Sequence, residues 1–168
     1  MKDSAALPYP ALLLDTNVWL NNAFSHRCGH DAASELVMFA AKNDAPLLYA
    51  PHSLKDVFCL AELEVKRAQR QLGNIAEQDR AAARQLAWGI IGNIQELACA
   101  VGCDESDVWL SSKLKNVHGD FEDNLLLAAA ARAQGCYLVT EDERLRAHAH
   151  VPCANTATML RLLENNLA

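Results

Sequence analysis

A short apolar run that ends in an acid constrains the fold of this chain most. Residues 11–14 are Ala-Leu-Leu-Leu, and Asp15 follows them directly, before a polar pair at Thr16 and Asn17. An uninterrupted apolar run bounded by turn-forming residues is typical of a strand buried on both faces of a parallel sheet. Ligands of open parallel sheets bind just beyond the carboxyl ends of the strands. The sequence therefore predicts that Asp15 lies at a functional edge of a sheet.

Strand and helix patterns alternate along the rest of the chain. Apolar runs predict further strands at 47–50, 136–140 and 151–153, while 98–101 fits either a strand or the end of a helix. Helices are predicted between the strands. The first would be capped by Thr16 or Asn17, and two long helices would form a hairpin at about 51–98. This alternation predicts an α/β domain with a mostly parallel sheet and right-handed crossovers.

Composition excludes several classes of protein. The 168 residues fit one domain over 1–168, and no apolar run approaches the roughly 20 residues needed to span a bilayer. The first residues lack a basic region followed by an apolar core, so we expect no secretory signal and a cytoplasmic location. A net charge of −6 argues against a general nucleic-acid coat but allows an enzyme that touches a few phosphates. The six cysteines form no CxxC pair, and we expect them to be reduced and mostly buried, Cys99 and Cys103 included.

Further acids are expected at the same sheet edge as Asp15. Asp142 follows the strand at 136–140, and Asp123 is near the start of the helix before that strand. Asp56 lies one turn into the helix after the second strand, and Asp120 shares a helix face with Asp123. Carboxylates gathered in this way would repel each other unless a hard divalent cation offset the repulsion. Mg²⁺ or Mn²⁺ held there would support hydrolysis of a phosphodiester.

Each acid also has a purely structural interpretation. Asp120 fits a helix N-cap, Asp123 a first-turn acid favoured by the helix dipole, and Asp142 a cap for the next helix. Asp56 alone fits a solvated helix residue. Asp15 is harder to explain in this way, because an acid directly after a buried strand is costly unless it is paired or bound to a metal.

Two parts of the chain together resemble PIN-domain ribonucleases. The first is Leu-Leu-Asp-Thr-Asn at 13–17; the second combines Asp-Phe-Glu-Asp-Asn-Leu at 120–125 with Leu-Val-Thr-Glu-Asp at 138–142. The match in order and spacing extends from about residue 11 to residue 160. The resemblance implies a three-layer α/β/α domain and a Mg²⁺- or Mn²⁺-dependent endoribonuclease, commonly the VapC-like toxin of a toxin–antitoxin pair. It also implies an RNA substrate, an antitoxin partner and a homodimer.

The resemblance assigns roles to individual residues. Asp15, Asp123 and Asp142 match the family's metal-binding acids, and Asp120 would be either an additional metal ligand or a group that supports the ligands. The second family acid falls at Asp56, although glutamate is more usual there and Glu62 is the weaker alternative. The supporting residues, which would orient the acids by hydrogen bonds, are Thr16, Asn17 and Thr140. Leu145 stands where a phenylalanine often follows the last acid, at a packing position.

Basic and metal-type side chains elsewhere give weaker signals. The residues nearest in sequence to the acids, and so the best candidates for RNA phosphate contacts, are Lys113, Lys115, Arg144 and Arg146. Lys66 is better explained as the helical partner of Glu62. The alternating His26, Cys28 and His30 have no obvious fourth ligand, which favours a polar loop over a zinc site.

Two other classes of protein remain as alternatives. A PIN-like binding module that had lost catalysis would keep the fold without cleaving RNA. A phosphatase of the haloacid dehalogenase type also begins with an acid after a strand. That chemistry needs a second aspartate two residues later, and Asn17 occupies the position, which argues against it.

Overall fold

The computed structural model describes residues 8–73, 77–116 and 118–165. Within them, five strands form one parallel sheet in the order β3-β2-β1-β4-β5. The strands are β1 (Leu12–Leu14), β2 (Leu47–Tyr49), β3 (Cys99–Ala100), β4 (Tyr137–Val139) and β5 (Cys153–Ala154). The central position of β1 places Asp15 between the carboxyl ends of its two neighbouring strands.

Helices connect these strands in chain order. They are α1 (Thr16–Ala23), α2 (His30–Lys42), α3 (Pro51–Leu72), α4 (Glu77–Leu97), α5 (Glu105–Lys113), α6 (Phe121–Arg132), α7 (Glu143–His148) and α8 (Thr156–Asn165). A 3₁₀ turn at Leu114–Asn116 follows α5. In the part of the chain that the structure describes, no helix is long and apolar enough to cross a membrane.

The alternation of side chains along β1 separates the core into two layers. Leu12 and Leu14 pack into a cluster that contains Trp19 of α1 and Leu36 of α2, together with residues of α3, α4 and α8. Leu13 points to the opposite face and packs with apolar residues of α6 and α7. Helices therefore cover both faces of the sheet, and the predicted three-layer α/β/α architecture is confirmed.

Helices α3 and α4 pack against each other next to the sheet. The rings of Phe58 and Trp88 meet across their interface with centroids 4.9 Å apart. Proline at the first turn begins α3, and Gly73 ends it with a backbone φ of 142°. The long excursion between β2 and β3 is thus a pair of packed helices rather than a loop.

The structure decides several local predictions. Asp15, not Thr16 or Asn17, caps α1, because its carboxylate accepts the Thr16 backbone N–H. The ambiguous segment 98–101 contains the strand β3, and the last strand begins at Cys153. Leu145 is fully buried, as expected of a packing position.

The prediction that the cysteines are mostly buried is wrong. All six are free, but the exposed members are Cys28, Cys59, Cys99 and Cys103. Cys99 belongs to an edge strand and Cys103 to the loop after it, so neither lies on the helix where the two could face the core together. The apolar character of a cysteine does not reveal whether its position in an edge strand or helix faces solvent.

Candidate functional site

Four of the predicted acids line one cleft at the carboxyl edge of the sheet. The cleft has a volume of about 280 Å³, and its walls include Asp15, Asp56, Asp123 and Asp142. Asp15 follows β1, Asp56 lies in α3, Asp123 is in the first turn of α6, and Asp142 follows β4. Residues more than a hundred positions apart in sequence therefore meet because parallel strands end at the same edge.

Asp15 is the most buried of these acids, with 9% of its surface exposed. Its Oδ1 accepts the Thr16 backbone N–H at 2.6 Å, and its Oδ2 accepts bonds from Asn17 Nδ2 and Thr140 Oγ1, each at 2.6 Å. Burial raises the pKa of Asp15 above its usual range, and these three donors offset that effect only in part. The carboxylate is held rigidly in a place where its charge is poorly solvated.

Thr140 and Asn17 connect Asp15 to the segment that carries Asp142. Thr140 Oγ1 accepts the Asp142 backbone N–H at 3.0 Å and the Asn17 amide at 3.1 Å. Asn17 Oδ1 accepts the Glu141 backbone N–H at 3.2 Å. The hydrogen bonds expected from Asn17 and Thr140 are present, whereas Thr16 contributes its backbone N–H.

The environments of Asp142 and Asp123 shift their pKa values in opposite directions. Asp142 caps α7, and the backbone N–H groups of Leu145 and Arg144 hold the pKa of its carboxyl below the usual range. Burial, followed by the charge of Asp120, raises the pKa of Asp123 to about 6. His118 Nδ1 lies 3.2 Å from Asp123 Oδ2 and partly opposes this rise in pKa.

The structure separates the two candidates for the second acid. Asp56 lines the cleft, and Lys55 Nζ lies 3.6 Å from its carboxylate. Glu62 instead accepts a bond from Lys66 at 2.6 Å and has Arg84 of α4 3.6 Å away, outside the residues that line the cleft. The predicted pairing of Lys66 with Glu62 is confirmed, and Asp56 is the acid that faces the other three.

Asp120 lies next to the cleft rather than in its wall. Its carboxylate caps α6 by accepting the Glu122 backbone N–H at 2.8 Å and that of Asp123 at 3.4 Å. It borders a neighbouring depression whose other walls include His118, Asp123, Asp142, Arg144 and His148. Asp123 and Asp142 thus stand between the two hollows, and Asp120 acts on Asp123 through its charge.

The donor chemistry of the cleft fits a hard divalent cation. Carboxylate oxygens from four separate elements face one space, and the buried charge of Asp15 has no cation paired with it among the described residues. In residues 8–73, 77–116 and 118–165, no three Asp, Glu, His or Cys side chains lie close enough together to hold a metal as they stand. Coordination by three of these acids would require side-chain rotation toward the centre of the cleft.

The basic residues expected to contact RNA lie outside the walls of this cleft. Lys113 sits 5.1 Å above the ring of Trp109, in a separate hollow that Lys115 also borders. Arg146 donates to the Thr140 carbonyl at 2.7 Å, and Arg144 borders the depression beside Asp120. None of the four is among the residues that line the acidic cleft.

Two nitrogen-bearing side chains that line the cleft were not predicted from sequence. Arg27 reaches it from the loop between α1 and α2, and His52 from the first turn of α3. Burial lowers the pKa of His52, and both of its ring nitrogens are buried without a hydrogen-bond partner among the described residues. The spacing of His52 and Asp56, four residues apart on one helix face, is the signal that could have identified His52.

His26 and Cys28 lie in the loop between α1 and α2, as expected, whereas His30 is the first residue of α2. His26 Nε2 lies 2.7 Å from Glu64 Oε1, and His30 Nδ1 lies 2.9 Å from the Asn21 carbonyl oxygen. Cys28 is exposed between them. The two imidazoles have separate partners, so the trio does not assemble around one point.

Comparisons with known proteins identify the same fold. The family model described as PIN domain matches residues 11–144, whereas no curated protein shows a significant match. PAE2754 from Pyrobaculum aerophilum is similar in structure, with a TM-score of 0.60, 16% identity, and coverage of 94% of this chain and 98% of that one. VapBC2 from Rickettsia felis, solved bound to a DNA fragment from its promoter, has a TM-score of 0.57 and 13% identity, and the match covers 86% of this chain and 98% of that one. FitAcB from Neisseria gonorrhoeae has a TM-score of 0.56 and 15% identity, and the match covers 86% of this chain and 97% of that one.

Proposed function

The chain belongs to the PIN domain family, and on that basis we propose that it is an endoribonuclease that hydrolyses RNA with Mg²⁺ or Mn²⁺. The observation that carries the proposal is the meeting of four aspartates from four elements in one cleft. A cleft lined by carboxylates repels a polyanion unless a cation is bound there. Nuclease activity that depends on a divalent cation is the chemistry that best reconciles this charge with an RNA substrate.

In this proposal the cation would be held by Asp15, Asp56, Asp123 and Asp142. Asp120 would assist by adding its negative charge next to Asp123. A bound divalent cation supplies an activated water and neutralises charge that develops on the phosphate. Thr140 and Asn17 keep Asp15 in one orientation through their hydrogen bonds to its Oδ2. The backbone N–H groups at the start of α7 keep Asp142 ionised and ready to accept a cation.

We extend the proposal to the biological role, the toxin of a toxin–antitoxin pair. The support is the resemblance of segments 13–17, 120–125 and 138–142 to VapC-like toxins, together with a fold similar to that in the VapBC2 structure. A cognate antitoxin would then bind the chain and block the cleft, and the active form would be a homodimer. Growth arrest on expression of the wild-type chain, absent with Asp15→Asn, would support this role; normal growth with both would contradict it.

Cleavage of a panel of structured RNAs tests the proposed activity. Wild type, Asp15→Asn and Asp31→Asn are compared in Mg²⁺, in Mn²⁺ and in EDTA; Asp31 is an exposed acid of α2 outside the cleft and serves as the control. We expect wild type and Asp31→Asn to cut RNA with either cation, and Asp15→Asn to fall to the level seen in EDTA. Equal activity in wild type and Asp15→Asn would contradict the proposal.

A second candidate is a PIN-like module that binds RNA or protein without cleaving. The observation in its favour is the spacing of the acids, since no three metal-type side chains of the described residues are close enough to hold a metal without rotation. Such a module would remain folded in Mn²⁺ and cut none of the RNAs. The same panel, with folding checked by circular dichroism, separates the two candidates.

A further inference from the structure

Arg27 introduces a permanent positive charge into an otherwise acidic cleft. The acids in its walls are Asp15, Asp56, Glu122, Asp123 and Asp142. Among the described side chains that line it, Arg27 is the one that carries a positive charge at every physiological pH, because a guanidinium does not lose its proton. The chain as a whole carries a net charge of −6, so a polyanionic strand gains little attraction from the rest of the surface.

The guanidinium of Arg27 is held by two separate elements. Its Nε donates to Asn21 Oδ1 of α1 at 2.8 Å, and its Nη1 donates to Glu64 Oε2 of α3 at 2.7 Å. Asn21 is itself buried, with 7% exposed, and a Cβ added at Gly29 would lie 2.2 Å from its Nδ2. The loop is therefore packed tightly around Asn21, which fixes the acceptor that orients Arg27.

This arrangement leaves part of the guanidinium available to a ligand. Its hydrogen bonds to the described residues use Nε and Nη1, while the side chain remains 30% exposed and Nη2 has no such bond. A fixed guanidinium edge matches the geometry of a phosphate and loses little entropy when it binds one. His26, in the same loop as Arg27, also contacts Glu64, with Nε2 2.7 Å from Oε1. The Glu64 carboxylate is therefore shared between two partners.

We propose that Arg27 binds a phosphate of the RNA strand at the cleft, beside the acids, with Asn21 orienting its guanidinium. This inference rests on the proposed ribonuclease function and deepens it. It adds a phosphate contact within the cleft to the four basic residues expected from sequence, which lie outside its walls. The competing explanation is structural: Arg27 and Glu64 join the loop to α3 and have no role toward RNA.

The experiment compares Arg27→Ala and Glu64→Gln, because the two explanations predict different relations between these variants. Both substitutions break the same ion pair, so both are expected to lower Tm. Arg27→Ala removes the cation that would meet the phosphate. Glu64→Gln keeps that cation and a side-chain oxygen that can accept the Arg27 Nη1 hydrogen bond, and it removes only the negative charge. Arg84→Ala, at an exposed arginine of α4 loosely paired with Glu62, controls for the change in net charge.

Binding is measured by fluorescence anisotropy with a labelled 20-nucleotide single-stranded RNA, in an Asp15→Asn background so that the probe stays intact. We expect Arg27→Ala to weaken binding about tenfold. The slope of log affinity against log salt should become shallower by about 0.7, the value for one lost contact to a single strand. Glu64→Gln and Arg84→Ala should bind the probe at least as tightly as their parent.

Kinetics in the otherwise wild-type chain supply a second readout. We expect Arg27→Ala to raise KM with little change in kcat, because the contact is made before the chemical step. Unchanged RNA affinity in Arg27→Ala, or equal weakening in Arg27→Ala and Glu64→Gln, would overturn the assignment of Arg27. If the Asp15→Asn parent does not bind the probe and the wild-type chain does not cut RNA, the proposed function is contradicted, and the inference with it.

Discussion

At the scale of single residues, Asp15 shows why a strand-end acid was informative in the sequence. Its position after Leu14 required either a partner or a ligand, and the structure supplies hydrogen bonds from Thr16, Asn17 and Thr140 without a paired cation among the described residues. Three donors stabilise the charge, yet its pKa remains raised by burial. A residual cost of this kind is expected where a binding site takes precedence over stability.

Asp123 gives a pH dependence whose sign can be worked out. Its pKa is raised from 3.8 to about 6 in the folded chain, so the native state binds this proton more tightly than the unfolded state does. The stability it contributes is present at low pH and is lost as pH rises from about 4 to about 6. In EDTA at pH 7, we expect the free energy of unfolding of Asp123→Asn to exceed that of wild type by about 1–2 kcal/mol.

Urea denaturation followed by tryptophan fluorescence between pH 4 and pH 8 measures this difference. The advantage of Asp123→Asn should shrink as the pH falls toward 4, where the native carboxyl is protonated. Asp31→Asn serves as the control, because Asp31 is exposed in α2. A difference from wild type that is constant across the range would show that the charge of Asp123 is not the cause.

At the scale of secondary structure elements, an ion pair with one buried partner, Asp107, joins the start of α5 to the end of α6. Arg132 Nε donates to both carboxylate oxygens of Asp107, at 3.0 and 3.1 Å, and its Nη2 lies 2.7 Å from Asp104 Oδ2. Asp107 is 4% exposed and also completes the capping box of α5. Because α6 carries Asp123 in its first turn, this contact helps to fix the helix that supplies one acid to the cleft.

Arg132→Ala should lower the free energy of unfolding clearly more than a surface substitution does, since it leaves the Asp107 carboxylate, which is 4% exposed, without its cation. Arg161→Ala, at an exposed site of α8, should change the value by less than about 0.5 kcal/mol. Equal stability of the two variants in urea denaturation would contradict a structural role for the Arg132 pair.

The same scale shows what could be predicted from sequence and what could not. The helical hairpin predicted at about 51–98 and the strand predicted at 136–140 lie close to the observed α3, α4 and β4, because hydrophobic pattern and turn chemistry agree there. The two-residue strand β3 was ambiguous, since a short apolar segment fits a strand and a helix end equally well. Arg27 was not predicted as a residue of the cleft, because its position depends on contacts such as the one with Glu64, 37 residues later in the chain. No local pattern records such a contact.

At the scale of the whole molecule, sheet order explains why the acids meet. β1 lies between β2 and β4, and each of the three strands leads into a helix or loop that carries an acid of the cleft. The segments of the resemblance at 13–17 and 138–142 begin in the adjacent strands β1 and β4. The acids could be predicted because parallel strand ends share an edge. Their distances could not, because these depend on packing between helices far apart in sequence.

The central proposal is that the cleft aspartates together bind a divalent cation. Electron paramagnetic resonance of a Mn²⁺ titration tests it most directly, because bound Mn²⁺ loses the sharp signal of the free ion. We expect wild type and Asp31→Asn to remove Mn²⁺ from solution, and Asp15→Asn and Asp123→Asn to bind it at least about tenfold more weakly. Unchanged binding in both cleft variants, or no binding by a folded wild-type chain, would contradict the proposal.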